Sequence, residues 1–128
     1  MTYMLLIHYD HDEAERTSAD ARRETYAAYD QFNALLRERG IEWSANPLHD
    51  PATGTVVRVR GGTKRFTDGP FAETREQLGG YYLVDVDSRD TALELAALLP
   101  AAAYGAVEVR EVFDIGQDPK LKEETHGD

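Results

Sequence analysis

No cysteine occurs anywhere in the 128 residues, so disulfides, thiolate nucleophiles and cysteine-held metals are all excluded. Nothing in the chain depends on an oxidising compartment, and a cytoplasmic location is expected. Long apolar runs are missing too. The N-terminal run Tyr3 to Ile7 is about five residues against the ~20 that cross a bilayer, and it has no basic flank of the kind a signal peptide carries. A soluble protein without a membrane partner is expected. Basic residues are scarce: 14 lysines and arginines stand against 24 carboxylates, for a net charge of −10. Phosphates must be met by lysine or arginine, so this balance argues against direct nucleic-acid binding.

Hydrophobic residues make up 41% of the chain, enough for one compact domain with a core. That domain is expected over residues 1–115, followed by a polar, acidic and flexible tail over 116–128. Tyr3 to Tyr9 reads as a strand buried on both faces. Asp10 to Glu15 is acidic and turn-like, after which Ser18 and Asp20 can cap a helix carrying Tyr26, Tyr29, Phe32, Leu35 and Leu36 on one face, with Gly40 as its stop. The three aromatic residues of that face are expected in the core.

Ile41 to Pro51 reads as irregular. Thr55 to Arg60 and Lys64 to Thr67 alternate around Gly61-Gly62, which signals a hairpin. Gly79-Gly80 precedes a further strand, Tyr81 to Val86, and Ser88 can cap a helix bearing Ala92, Leu95, Ala96 and Leu99 ahead of Pro100. Ala106 to Phe113 supplies the last strand. This order predicts an α+β, ferredoxin-like fold, with helices on one face of an antiparallel sheet. Positions such as Val56, Leu83 and Val107 would then leave the other face apolar, and a second copy is its natural cover, so a homodimer is expected.

The richest stretch for chemistry is Thr67-Asp68-Gly69-Pro70-Phe71-Ala72-Glu73-Thr74-Arg75-Glu76-Gln77-Leu78-Gly79-Gly80-Tyr81-Tyr82. Asp68 can accept backbone N–H bonds beside the permissive Gly69 and the rigid Pro70, and Phe71 can plug the core. Glu73 and Glu76, three apart, would share one side of a short helical turn. Either the loop is a rigid edge with solvated acids, or Asp68, Glu73 and Glu76 converge on a pocket where one carboxyl becomes a general acid or base. His8, at a strand end, is the candidate proton shuttle. The expected catalytic set is therefore His8, Asp68 and Glu73, with Glu76, Arg58 and Tyr81 as ligand contacts. His8, Asp10 and His49 could in principle ligate a divalent ion, but their spacing is not that of a tight site, and neither a metal nor a cofactor is expected. Arg58 with Arg60, and Glu108 with Arg110, each share a strand face. If those faces coincide they form either an ion-pair ladder or an anion site, the ladder being favoured because opposite charges are already present. Tyr81 and Tyr82 point to opposite faces.

The signature run, together with Tyr3-Met4-Leu5-Leu6-Ile7, Thr55-Val56-Val57-Arg58-Val59-Arg60 and Val107-Glu108-Val109-Arg110, resembles the DGPF or YCII-related family over roughly Tyr3 to Phe113. The resemblance implies a ferredoxin-like dimer of the dimeric α/β-barrel type. Related YCII enzymes are thought to pair a first-helix histidine with an aspartate near the end of the second helix, in a lyase or hydrolase role. Here the corresponding positions hold Tyr29 and Leu99, so that pair is not carried over. The resemblance also points to sigma factors of transcription initiation as partners. Two functions follow: a dimeric small-molecule site, binding or acting as a lyase-like acid/base enzyme, or a non-catalytic interaction module linked to sigma-factor regulation.

Overall fold

Alternation along the first strand sets the layers. In the computed structural model, which describes residues 1–121, β1 (Thr2–Tyr9) buries Tyr3, Leu5 and Ile7, whereas Met4, Leu6 and His8 are only half-buried. The expectation of burial on both faces is thus corrected: one face meets the core and the other carries no helix. α1 (His11–Glu15) follows where a turn was expected, because the Asp10 carboxylate accepts from the Glu13 N–H (3.1 Å) and caps it. α2 (Ala19–Glu38) starts at Ser18, whose hydroxyl accepts from the Ala21 N–H (3.1 Å). It ends at Gly40 (φ 66°), and the Ile41 N–H closes back on the Leu36 carbonyl at 3.0 Å, a left-handed cap that satisfies an otherwise orphaned acceptor. Its buried face is Phe32 and Leu36, one turn apart, with Tyr29 half-buried beside them. Tyr26, expected in the core, is 62% exposed instead.

β2 (Trp43–Pro47) occupies the segment expected to be irregular and pairs antiparallel with β5 (Gln77–Asp85). Gly79 and Gly80 lie inside β5 rather than before it. α3 (Arg89–Leu98) is capped by the Ser88 hydroxyl, which accepts from the Thr91 N–H at 3.2 Å. α4 (Ala101–Tyr104) and β6 (Ala106–Glu111) complete the order, and Val112 and Phe113, expected in that strand, lie beyond it and are exposed. The tail expected over 116–128 lies partly outside the described residues; within them, Ile115–Gln117 forms one 3-10 turn.

The four-stranded antiparallel sheet has the order β2-β5-β1-β6. With α2 crossing from β1 to β2 and α3 from β5 to β6, this α+β architecture is compatible with a ferredoxin-like arrangement. Phe32 and Leu36 of α2, Ala92, Leu95 and Ala96 of α3 and Ala101 of α4 join Tyr3, Leu5, Ile7, Tyr82 and Val84 in one core, so the helices cover a single face. The phenol of Tyr82 donates to Asn33 Oδ1 (2.5 Å), which satisfies its one polar atom at the edge of that core. Register then assigns the helix-free face. Met4 pairs with Leu83 and Arg110, Leu6 with Tyr81 and Glu108, and His8 with Leu78 and Ala106. Val107, expected on this open face, sits opposite Ile7 and packs against the core.

β3 (Thr55–Arg60) and β4 (Thr63–Asp68) form a separate two-stranded sheet, turned at Gly61 (φ 56°) and Gly62 (φ 78°). The hairpin itself is as expected, but it is not hydrogen-bonded into the main sheet. Arg58 and Arg60 consequently share no sheet with Glu108 and Arg110, and the predicted ladder between them does not form. Val56, expected on the open face, belongs to this hairpin. No closed barrel occurs among the described residues.

Candidate functional site

The end of β1 is where chemistry-bearing side chains collect. A one-residue irregularity between Ile7 and His8 shifts the register against β5, and His8 emerges on the helix-free face. There it lines an open groove of about 540 Å³ with Asp10, Glu13, Thr74, Arg75, Glu76, Tyr104 and Ala106. Four elements supply these groups: the end of β1, the start of α1, the loop before β5, and the end of α4 leading into β6. His8 Nε2 stands 3.9 Å from Glu108 Oε1, so a protonated imidazole has a carboxylate in reach.

The loop between β4 and β5 is held by its own polar groups. Gln77 Nε2 donates to the carbonyls of Ala72 (2.6 Å) and Thr74 (2.9 Å), and the Thr74 hydroxyl donates to the Glu76 carbonyl (2.6 Å). Those bonds fix Arg75 and Glu76 beside His8. An aromatic cluster backs the groove: the Tyr9 ring stacks on His11 (centroids 4.0 Å apart) and meets Tyr104 edge-on at 6.1 Å. Burial pushes the Tyr29 phenol far above its ordinary range, and its hydrogen bond with Tyr104 adds to the rise. Burial likewise raises Tyr9, helped by the neighbouring Tyr104. These phenols are neutral donors at physiological pH.

A second concavity of about 270 Å³ shares Asp10 and Arg75 with the first and is also lined, among others, by His11, Asp12, Asp50, Glu73 and Gln77. His11 Nδ1 is 3.1 Å from the Tyr9 carbonyl, which can only accept, so Nδ1 carries the proton in the neutral ring. Its Nε2 is then a buried lone pair with no partner among the described residues.

The expected catalytic set is dispersed. His8 and Glu76 share the larger groove, whereas Glu73 lines the second concavity. Asp68 ends β4 and accepts from the Thr55 hydroxyl (3.4 Å), lining neither. Residues 71–76 form bends, not the helical turn that would align Glu73 with Glu76. Phe71, expected to plug the core, is 81% exposed and lies under the Arg58 guanidinium, 5.7 Å from its ring centroid. Arg58 therefore belongs to the hairpin and not to the groove. Tyr81 sits on the helix-free face, its hydroxyl accepting from Asn46 Nδ2 at 3.0 Å. His49 is exposed and lines neither concavity, and among the described residues no three histidines or carboxylates converge as ligands for a metal.

Sequence reasoning missed Arg75, Glu13 and Tyr104. Arg75 stood inside the signature run, as the one cation between two glutamates, and that was its only signal.

A sheet open on one face with an acid-lined groove at its end defines an α+β protein whose site is built from loop and strand termini. The chain belongs to the YCII-related domain family, whose family model matches residues 1–116. An uncharacterised protein of Rhizobium meliloti (strain 1021) is 35% identical over 115 residues, covering 86% of this chain and 90% of that protein.

Proposed function

We propose that the protein is a cytoplasmic homodimer of the dimeric α/β-barrel type whose groove binds a small polar metabolite and moves a proton on it through His8. The observation that carries this reading is the convergence of His8, Arg75 and Glu76 on one groove that Asp10, Glu13 and Tyr104 also line. Arg75 supplies a fork for a carboxylate or phosphate, and the acids suit an amine or hydroxyl on the same molecule. Histidine is the residue type that exchanges protons near neutral pH, and the Glu108 carboxylate stands 3.9 Å from its Nε2. Because His8 and Ala106 lie on the helix-free face, the groove opens there, and a second copy covering Met4, Leu6 and Leu83 would roof it.

The test is a panel of amino acids, hydroxy acids and small amines, followed by native mass spectrometry and thermal shift. At least one member should bind the parent chain, with Arg75→Gln weakening it about tenfold, roughly 1.4 kcal/mol, and Asp68→Asn leaving it unchanged because Asp68 lies outside the groove. Binding indifferent to Arg75, or a chain that no member stabilises, overturns the reading. The charge of −10 supports a second reading, an acidic surface that takes a basic segment of a sigma factor, which would show as partner capture that weakens with salt.

A further inference from the structure

The β3–β4 hairpin forms no sheet with the rest of its own chain, whose Phe71 ring meets it under Arg58. A two-stranded hairpin is marginal in water, and this one forms a sheet by itself. Register places Val57 opposite Phe66 and Val59 opposite Lys64, which puts all four on one face. Val57 and Val59 are each 56% exposed and Phe66 is 67% exposed, a contiguous apolar strip with one cation at its end. The opposite face carries Arg58 against Arg65, like charges directly across from one another, which destabilises the pair further.

Charge separates the hairpin from the body. The hairpin, residues 55–68, holds Arg58, Arg60, Lys64 and Arg65 against the single acid Asp68, so the rest of the chain stands at −13 against −10 for the whole. Among the described residues none of these four cations forms an ion pair. What the hairpin lacks, the body of the same chain displays: the helix-free sheet face presents half-buried Met4, Leu6 and Leu83, with Glu108 along β6 and the groove carboxylates Asp10 and Glu76 at one end.

We propose that the β3–β4 hairpin is an arm that packs on a second copy of this chain. Val57, Val59 and Phe66 lie on the helix-free face of that copy, and Lys64 meets the acids at its end, Glu76, Glu108 or Asp10. The apolar strip supplies burial, the opposite charges fix which way the arm lies, and each groove is completed by the other copy's arm. This rests on the dimer proposed above and goes beyond it by naming the segment that crosses.

Zero-length carbodiimide coupling tests it, because Lys64 is the one lysine of residues 1–119 and joins only carboxylates in direct contact. Unlabelled and ¹⁵N-labelled chains are refolded together, coupled and digested. The expected result is a mixed-isotope peptide joining Lys64 to Glu76, Glu108 or Asp10. In parallel, the double substitution Val57→Ser, Phe66→Ser should raise the dimer dissociation constant at least about tenfold in sedimentation, with far-UV dichroism of the helices unchanged. A dimer whose Lys64 couples only within its own chain, or whose dissociation ignores the hairpin substitutions, overturns the arm and leaves the dimer standing. A monomer at every concentration overturns both.

Discussion

Tyr9 shows how much one ring demands of its neighbours. A Cβ at Gly79 would collide with the ring, and one at Gly105 would collide with the His8 carbonyl and approach Tyr9 Cβ at 3.0 Å. Glycine inside a strand normally weakens it, so Gly79 is there to let the ring lie flat across β5. Gly79→Ala should destabilise the fold by about 1–3 kcal/mol, read as a lower urea midpoint at unchanged m-value. None of this was legible beforehand. Gly79-Gly80 reads as lying ahead of a strand because glycine pairs break patterns, and only the packed fold reveals which ring fills the space. The same holds at Phe71 and Tyr26, where apolar character alone suggested burial and the surroundings left both exposed.

Elements were legible where their signals are local. Ser18 and Ser88 cap α2 and α3 as their positions predict, and Gly40 ends α2 in the left-handed conformation. Ser18→Ala should cost about 0.5–2 kcal/mol, seen as a lower thermal midpoint with native helix content at low temperature. α1 was not legible, since five residues are too few to display an apolar stripe. β2 was hidden for a different reason: Trp43, Ala45 and Pro47 alternate weakly, and the strand owes its place to hydrogen bonds with β5. The β3–β4 hairpin was read correctly as a hairpin, but its detachment from the main sheet depends on where β2 and β5 meet, which no local pattern encodes.

At the scale of the whole molecule, buried phenols tie stability to alkaline pH. Burial pushes Tyr82 up to about 12, with Asp30 adding to the rise, and Tyr29 and Tyr9 shift in the same direction. The folded state therefore holds these protons more tightly than the unfolded chain does. The Tyr82 contribution is complete below the ordinary tyrosine value of 10.0 and is lost as pH rises through about 12. Urea unfolding at stepped alkaline pH should show stability falling across that interval, with Tyr82→Phe flattening the slope. A slope unchanged by Tyr82→Phe would assign the effect to other groups.

By itself the sequence determined the class of elements, their caps and turns, and the one-sided burial of the helices, because backbone hydrogen bonding and side-chain periodicity depend on near neighbours along the chain. The tertiary structure alone decided which acids share a groove. Arg75 and Tyr104 come from segments distant in sequence from His8 and Glu13, and their meeting follows from strand register and helix docking. That is why Asp68 and Glu73, conspicuous in the signature run, stand apart from His8, while Glu76 of the same run lies beside it.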